Sequence, residues 1–249
     1  NSIFEKAWKN KTDLRQIKSV EISKEVLDWF LNLENIEFSD EEVAYYKIRR
    51  PHISIKNNKP FNFQRIKYLF TLYIWTKIQE NYLERPWVHY IKQYSKKFKT
   101  DANLNQSFSL NNERDFLYDL GYIHVNFKLG IDAKFIREND VFSIPITDEN
   151  RIEIKSDEAL EGDLYNPGYW LEKQKYGSFV CQNCGKEFVN YNKNKKGRPR
   201  KYCKECSDLI VGDSKTIICS DCGIEFNVQN KNNNSYRCPD CQSHNTKVL

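Results

Sequence analysis

The chain of 249 residues has no methionine, only nine glycines, and no cysteine before residue 181. The few glycines make no phosphate-cradling loop, which excludes a nucleotide-driven enzyme of that kind. The longest apolar stretch, 69–75, is far too short to span a bilayer, so no membrane partner is expected. The first residues, Asn-Ser-Ile-Phe-Glu-Lys, carry no secretory apolar region; the expected location is the cytoplasm, or the nucleus in a eukaryotic source. The histidines His52, His89, His124 and His244 are scattered, with no His-Glu-x-x-His pair.

What is present is charge and aromatic volume. Hydrophobic residues make up 39%, charged residues 29% and aromatics 14%, enough to build a core and to exclude wholesale disorder. The net charge of +5 is unevenly spread. Residues 1–46 carry 6 basic and 10 acidic side chains, and 47–100 carry 13 and 2. Residues 101–176 carry 8 and 15, and 177–249 carry 12 and 7. A basic block therefore stands beside an acidic one. Blocks of one sign point to a polyanionic partner, DNA first and RNA second; the alternative is that the two blocks pair with each other inside the fold.

All eight cysteines form Cys-x-x-Cys pairs: Cys181/Cys184, Cys203/Cys206, Cys219/Cys222 and Cys238/Cys241. Two thiolates on one tight turn grip a tetrahedral zinc, and a second such knuckle completes the site. Disulfides would need an oxidising compartment, for which no export signal speaks. The tail is also duplicated. Val180-Cys-Gln-Asn-Cys-Gly-Lys-Glu-Phe188 matches Ile218-Cys-Ser-Asp-Cys-Gly-Ile-Glu-Phe226, and the knuckles at 203–206 and 238–241 correspond. Duplication predicts two zinc ions held by sequential sets of four, 181/184/203/206 and 219/222/238/241; a crossed pairing of alternate knuckles is the minority alternative. Each half resembles the zinc-ribbon and treble-clef modules, which bind DNA, RNA or protein, or simply close a fold.

Six cations fall in nine residues at Lys193, Lys195, Lys196, Arg198, Arg200 and Lys201. The stretch Lys196-Gly-Arg-Pro-Arg-Lys201 resembles an AT-hook core, which implies an extended Gly-Arg-Pro in a narrow minor groove. The alternative is a solvated connector between two knuckles.

The first 176 residues read as helices followed by strands. Ile22, Val26, Trp29, Phe30 and Leu33 recur at helical spacing. Ser39 with Glu42 forms a capping box that opens a second helix, stopped by Pro51. Residues 52–62 read as a loop or short hairpin. A long helix is expected from about 63 to 82, with Ile66, Leu69, Phe70, Tyr73, Ile74 and Ile78 on one face, and another from Pro86 with Val88, Ile91, Tyr94 and Phe98 inward. On the latter, Lys92, Lys96 and Lys99 form an outward stripe, a candidate phosphate-binding face. Residues 101–110 read as a polar linker, then a helix over 111–120 capped by Gly121. Strands are expected at 122–127, 131–136, 141–146 and 151–155. Helices followed by hairpins are the pattern of a winged helix.

The order helix, strand with Asp132, then Ile-Glu153-Ile-Lys155 also resembles the PD-(D/E)xK nuclease core. That resemblance implies Mg²⁺ held by Glu113, Asp132 and Glu153, with Lys155 activating water.

The expected fold class is α+β: a helical basic-aromatic domain (1–100), an α/β or winged-helix-like middle domain (101–176) and two zinc modules (177–212 and 213–249). The expected function is a zinc-containing DNA-binding protein acting in regulation or in recombination and replication, on a mobile element for example. The alternatives are a Mg²⁺-dependent endonuclease with a zinc targeting tail and a zinc-stabilised protein–protein adaptor.

Overall fold

The computed structural model describes residues 18–83, 87–88, 95–126, 130–132, 139–156, 162–189, 191, 200–211, 215–228 and 237–248. The chain divides into two compact units, 1–175 and 176–249. The fold is a mixture of helices and small antiparallel sheets.

The first unit begins with β1 (Ser19–Ser23), where Val20 and Ile22 turn inward and Glu21 outward. Ser23 then caps α1 (Lys24–Asn32), its hydroxyl accepting from the Val26 N–H at 3.3 Å. Ile22 thus belongs to a strand, not to the expected helical stripe: alternation across Val-Glu-Ile outweighs its spacing to Val26. The capping box forms as expected, with Ser39 and Glu42 opening α2 (Asp40–Arg49). Residues 52–62 hold a tight turn, bridged between Lys56 and Lys59, with Asn57 and Asn58 both at positive φ.

The centre of the unit is α3 (Phe63–Leu83). Every residue of 65–76 is buried. The helix is therefore enclosed all round rather than packed by one face, which is why its apolar residues do not keep to a stripe. Phe70 meets Phe30 edge-on at 5.0 Å and stacks on Trp170 at 5.6 Å.

Where a helix was expected from Pro86, Trp87–Val88 forms a short strand, β2, and among the described residues helix α4 covers Ser95–Asp101. Residues 101–110 are packed rather than a bare linker: Ala102, Phe108 and Leu110 lie in the same apolar cluster as α1 and α3. After them comes α5 (Leu110–Asp119), closed by Gly121 at φ +76° with the Tyr122 N–H donating to the Leu117 carbonyl. The hairpin β3 (His124–Asn126) and β4 (Gly130–Asp132) follows, and the sheet order is β2-β4-β3.

The strand expected at 141–146 is a 3₁₀ turn over Asp140–Ser143 that places Phe142 against Trp29 and Tyr73, each at 5.2 Å. β5 (Arg151–Lys155) forms as expected but pairs antiparallel with β1, setting Ile152 opposite Ile22 and Ile154 opposite Val20. The unit ends in α6 (Pro167–Tyr176). A Cβ on Gly168 would sit 2.0 Å from the Ala102 carbonyl oxygen, so only glycine lets α6 approach the turn after α4 this closely.

In the second unit, β6 (Ser178–Val180) and β7 (Glu187–Val189) form a hairpin, and α7 (Lys204–Val211) follows. The remaining elements are β8 (Lys215–Cys219), β9 (Glu225–Val228) and β10 (Thr246–Val248), in the order β10-β8-β9.

Candidate metal centres and charged surfaces

The knuckles at Cys181 and Cys219 share one construction. In the first, the Gly185 N–H donates to the Cys181 carbonyl at 2.9 Å, and the Cys181 N–H to the Lys186 carbonyl at 2.8 Å. In the second, Gly223 and Ile224 repeat these bonds to Cys219 at 2.8 and 2.9 Å. Gly185 and Gly223 stand at φ +72° and +76°, a left-handed turn that closes each loop around the sulfurs.

The knuckles completing each set differ. In the first, Cys206 lies in the opening turn of α7, and its N–H points at Cys203 Sγ, 3.4 Å away. In the second, Cys238-Pro-Asp-Cys241 closes with Gln242 at φ +60° and leads into β10. The two knuckles of each set are tied across: the Gln182 N–H donates to the Lys201 carbonyl at 3.0 Å, and the Asp221 carboxylate accepts from Ser243 Oγ and from Asn245 Nδ2.

The sulfurs gather as sequential sets, Cys181/Cys184/Cys203/Cys206 and Cys219/Cys222/Cys238/Cys241, each within 4.8 Å of one another. All eight thiols are free. Zinc–sulfur bonds of about 2.3 Å in a tetrahedron put neighbouring sulfurs about 3.8 Å apart. The separations are 3.8 Å for Cys184–Cys203 and 3.5 Å for Cys219–Cys241 and Cys222–Cys238. Donor type, number and spacing thus fit one zinc ion per set. Among the described residues, no other group of three or more ligating side chains gathers in this way. In the first set only Cys184 is exposed; in the second, Cys222 and Cys241 are.

The charged residues of the first unit are brought together across the sequence. Arg49 and Arg50 both donate to Asp119, Arg65 pairs with Glu113 at 2.5 Å, Lys67 with Glu172 at 2.5 Å, and Lys97 with Asp101 at 2.5 Å. Five cations of the basic block are thereby matched to four acids of the acidic block. Burial works to raise the Asp119 pKa, but the hydrogen bonds from the two arginines outweigh it and hold the carboxyl below the ordinary range. Asp101 goes the other way: burial outweighs Lys97 and pushes it up to about 6.

Lys67 and Glu172 are almost wholly buried, at 1% and 4% exposure. Burial lowers the Lys67 pKa against the pull of Glu172. Lys67 also donates to the Asn103 carbonyl, and Asn103 Nδ2 donates to Glu172 at 2.8 Å. This network fastens the turn between α4 and α5 to α3 and α6. Sequence reasoning missed it, because nothing local links Lys67 to Glu172. Helix α6 was missed as well, although Pro167 at its first position and the Asn166 side chain accepting from the Tyr169 N–H are ordinary start signals.

The candidate nucleic-acid residues fall in several places. Lys96 and Lys99 lie on α4; Lys96 is exposed, and Lys99 donates to the Gln106 carbonyl at 2.8 Å. Arg200 and Lys201 are exposed beside the Cys203 knuckle. Lys92, Lys193, Lys195, Lys196 and Arg198 lie outside the described residues.

The carboxylates of the nuclease resemblance do not share neighbouring strands. Asp132 is on β4, whose described partners are β2 and β3, whereas Glu153 and Lys155 are on β5, paired with β1. Glu153 stands opposite Glu21, and its pKa is lowered by hydrogen bonds from Ser19 and then Lys155. Glu113 is engaged by Arg65. The apolar match of Ile152 and Ile154 to β1 decides which strand β5 joins.

Comparison with known proteins adds no relative: no family model, no curated protein and no solved structure matches the chain. No described helix is long and apolar enough to cross a membrane.

Proposed function

We propose that the protein binds DNA, reading it with α5 and holding it with the β3–β4 hairpin, while the zinc modules form a second arm that supplies cations. The observation that carries this reading is the order of elements from α3 to β4: helix, strand, helix, turn, helix, hairpin, with the returning strand β4 between β2 and β3. That is the order of a winged helix, in which the helix after the turn enters the major groove and the hairpin touches phosphates. The Lys67–Asn103–Glu172 network and the close approach of Gly168 then have a task, which is to hold the turn before α5 in one geometry. On α5, Asn111 and Arg114 are residue types that read adenine and guanine edges, and Asn111 is exposed.

The expected arm contacts come from Lys195, Lys196, Arg198, Arg200 and Lys201, in the densest run of cations in the sequence. On this reading the first zinc module, whose helix begins inside its last knuckle, is treble-clef-like, and the second, with three strands, is ribbon-like. The pairing of Arg49, Arg50, Arg65, Lys67 and Lys97 with acids moves the weight of the charge argument from the basic block to this tail. B-form DNA suits the reading better than RNA, because a helix cannot enter the deep, narrow major groove of an A-form duplex. Regulation or recombination and replication are the roles such a module serves.

The test is a salt series of anisotropy titrations on the zinc-loaded chain, after selection of a preferred duplex from a random pool. Replacing Asn111 and Arg114 by alanine should cost about 10- to 100-fold on the selected site and little on random DNA. Neutralising Lys195, Lys196 and Arg198 should reduce the slope of log affinity against log salt by up to about 3 on both. Absence of binding to any duplex at about 50 mM salt, where phosphate contacts are strong, overturns the reading and leaves the adaptor alternative.

A further inference from the structure

Helix α2 turns only Val43 fully inward. Tyr46, on the same side, stacks on Phe38 and meets Phe116 edge-on, each at 5.3 Å. The opposite side carries Glu41, Ala44, Tyr45 and Ile48, a stripe at helical spacing that faces solvent. Ile48 is 85% exposed and Tyr45 54%. Tyr45 meets Tyr46 edge-on at 5.1 Å, and Ile48, one turn on, is apolar surface that no described residue covers.

The charges flanking this stripe limit what can cover it. The first turn is acidic, with Asp40, Glu41 and Glu42, and the last turn basic, with Lys47 and Arg49. Asp40 accepts from Asn58, Glu42 closes the capping box, and Arg49 goes to Asp119. The side chains of Glu41 and Lys47 have no hydrogen bond or ion pair among the described residues. Six positions apart, they cannot reach each other along one helix, where pairs form at three and four. Two copies of α2 laid antiparallel bring Glu41 of each beside Lys47 of the other, twice over, with Ala44 and Tyr45 between the pairs and Ile48 set against the first turn of the other copy, over the stem of its Glu41.

We propose that this face is a self-docking surface whose occupant is α2 of a second copy of the chain, related by a two-fold axis near Ala44 and Tyr45. Such an interface is isologous, so one helix supplies both halves of the complementarity. Ten residues of helix span about 15 Å, which is below a standard interface, so the association is weak and concentration-dependent.

The experiment is sedimentation equilibrium of the full zinc-loaded chain over roughly 10 to 500 µM, the range suited to a small interface. The weight-average mass should climb from that of one chain toward that of two. Ile48→Ser, Glu41→Lys and Lys47→Glu should each hold it at one chain, with unchanged circular dichroism because all three positions are exposed. An equimolar mixture of Glu41→Lys with Lys47→Glu should restore the climb, since both cross-pairs are then of opposite sign. A wild-type chain that stays single at every concentration overturns the proposal, as does association that survives Ile48→Ser and Glu41→Lys. Failure of the mixture to associate overturns the antiparallel arrangement on which it rests.

Discussion

The two compact units are stabilised by different physics. Residues 1–175 enclose a long helix on all sides and bury Lys67 against Glu172, so their order comes from apolar burial and matched charge. Among the described residues of 176–249, the cluster around the cysteines of the first set gathers only Phe179, Phe188 and Tyr202, and the other buried apolar side chains are Val189 and Ile217. Segments so poor in core need an internal bond of another kind, and four cysteines gathered to fit one ion are able to provide it. Within the tail the comparison repeats on a smaller scale. Duplicated knuckles lead into a helix in one half and a strand in the other. After Cys206 the chain continues Ser-Asp-Leu-Ile-Val, which sustains a helix; after Cys241 it continues Gln-Ser-His-Asn, which turns.

The sharpest test of this contrast is to remove a metal ligand. Cys222→Ser should cost the second module most of the zinc binding free energy, which is on the order of 10 kcal/mol in comparable peptides, and leave that module unfolded. Amide-exchange protection in α3 should remain. Loss of protection there on chelation would show that the units do not stand apart.

Glu172→Ala acts on the other side of the comparison. It leaves Lys67 buried without its carboxylate, and the first unit should lose about 3–5 kcal/mol by denaturant titration. The zinc content, measured by metal analysis, should stay at two. An equal loss from Lys67→Met with Glu172→Leu would mean that packing rather than charge explains the effect.

A smaller effect belongs to Asp101. Its folded pKa of about 6 lies above the ordinary 3.8, so the folded state holds the proton more tightly than the unfolded one. The associated stability is complete below about pH 4 and is lost as pH rises through 6, by up to about 3 kcal/mol. The stability of wild type relative to Asp101→Asn should therefore fall across that window and be flat above it. A difference independent of pH would remove the assignment.

The smallest expected effect separates the two zinc modules. With two exposed cysteines against one, the second set should react with a thiol reagent a few-fold faster than the first. Mass spectrometry of partly labelled protein should find Cys222 and Cys241 modified ahead of Cys181, Cys203 and Cys206. Even labelling would show that both sets exchange metal at one rate.

By itself, the sequence determined whatever depends on a few neighbouring residues. Two cysteines separated by two positions can turn onto one ion, so both sets of four, and their sequential pairing, were legible from spacing and duplication. The capping box at Ser39, the long helix from Phe63 and the turn at Asn57–Asn58 rest on equally local chemistry. Tertiary structure decided the choices among distant partners. A basic and an acidic block do not say which arginine meets which aspartate, or that one of these pairs, Lys67 with Glu172, would be buried on both sides. The alternating strand 151–155 pairs with β1, where Val20 and Ile22 match its apolar face of Ile152 and Ile154. Gly168 showed no local need for glycine until α6 came to lie against Ala102. Local hydrogen bonding acts at fixed spacing, whereas burial and Coulomb attraction act on any surface of the right kind, so their partners are fixed only when the chain has closed.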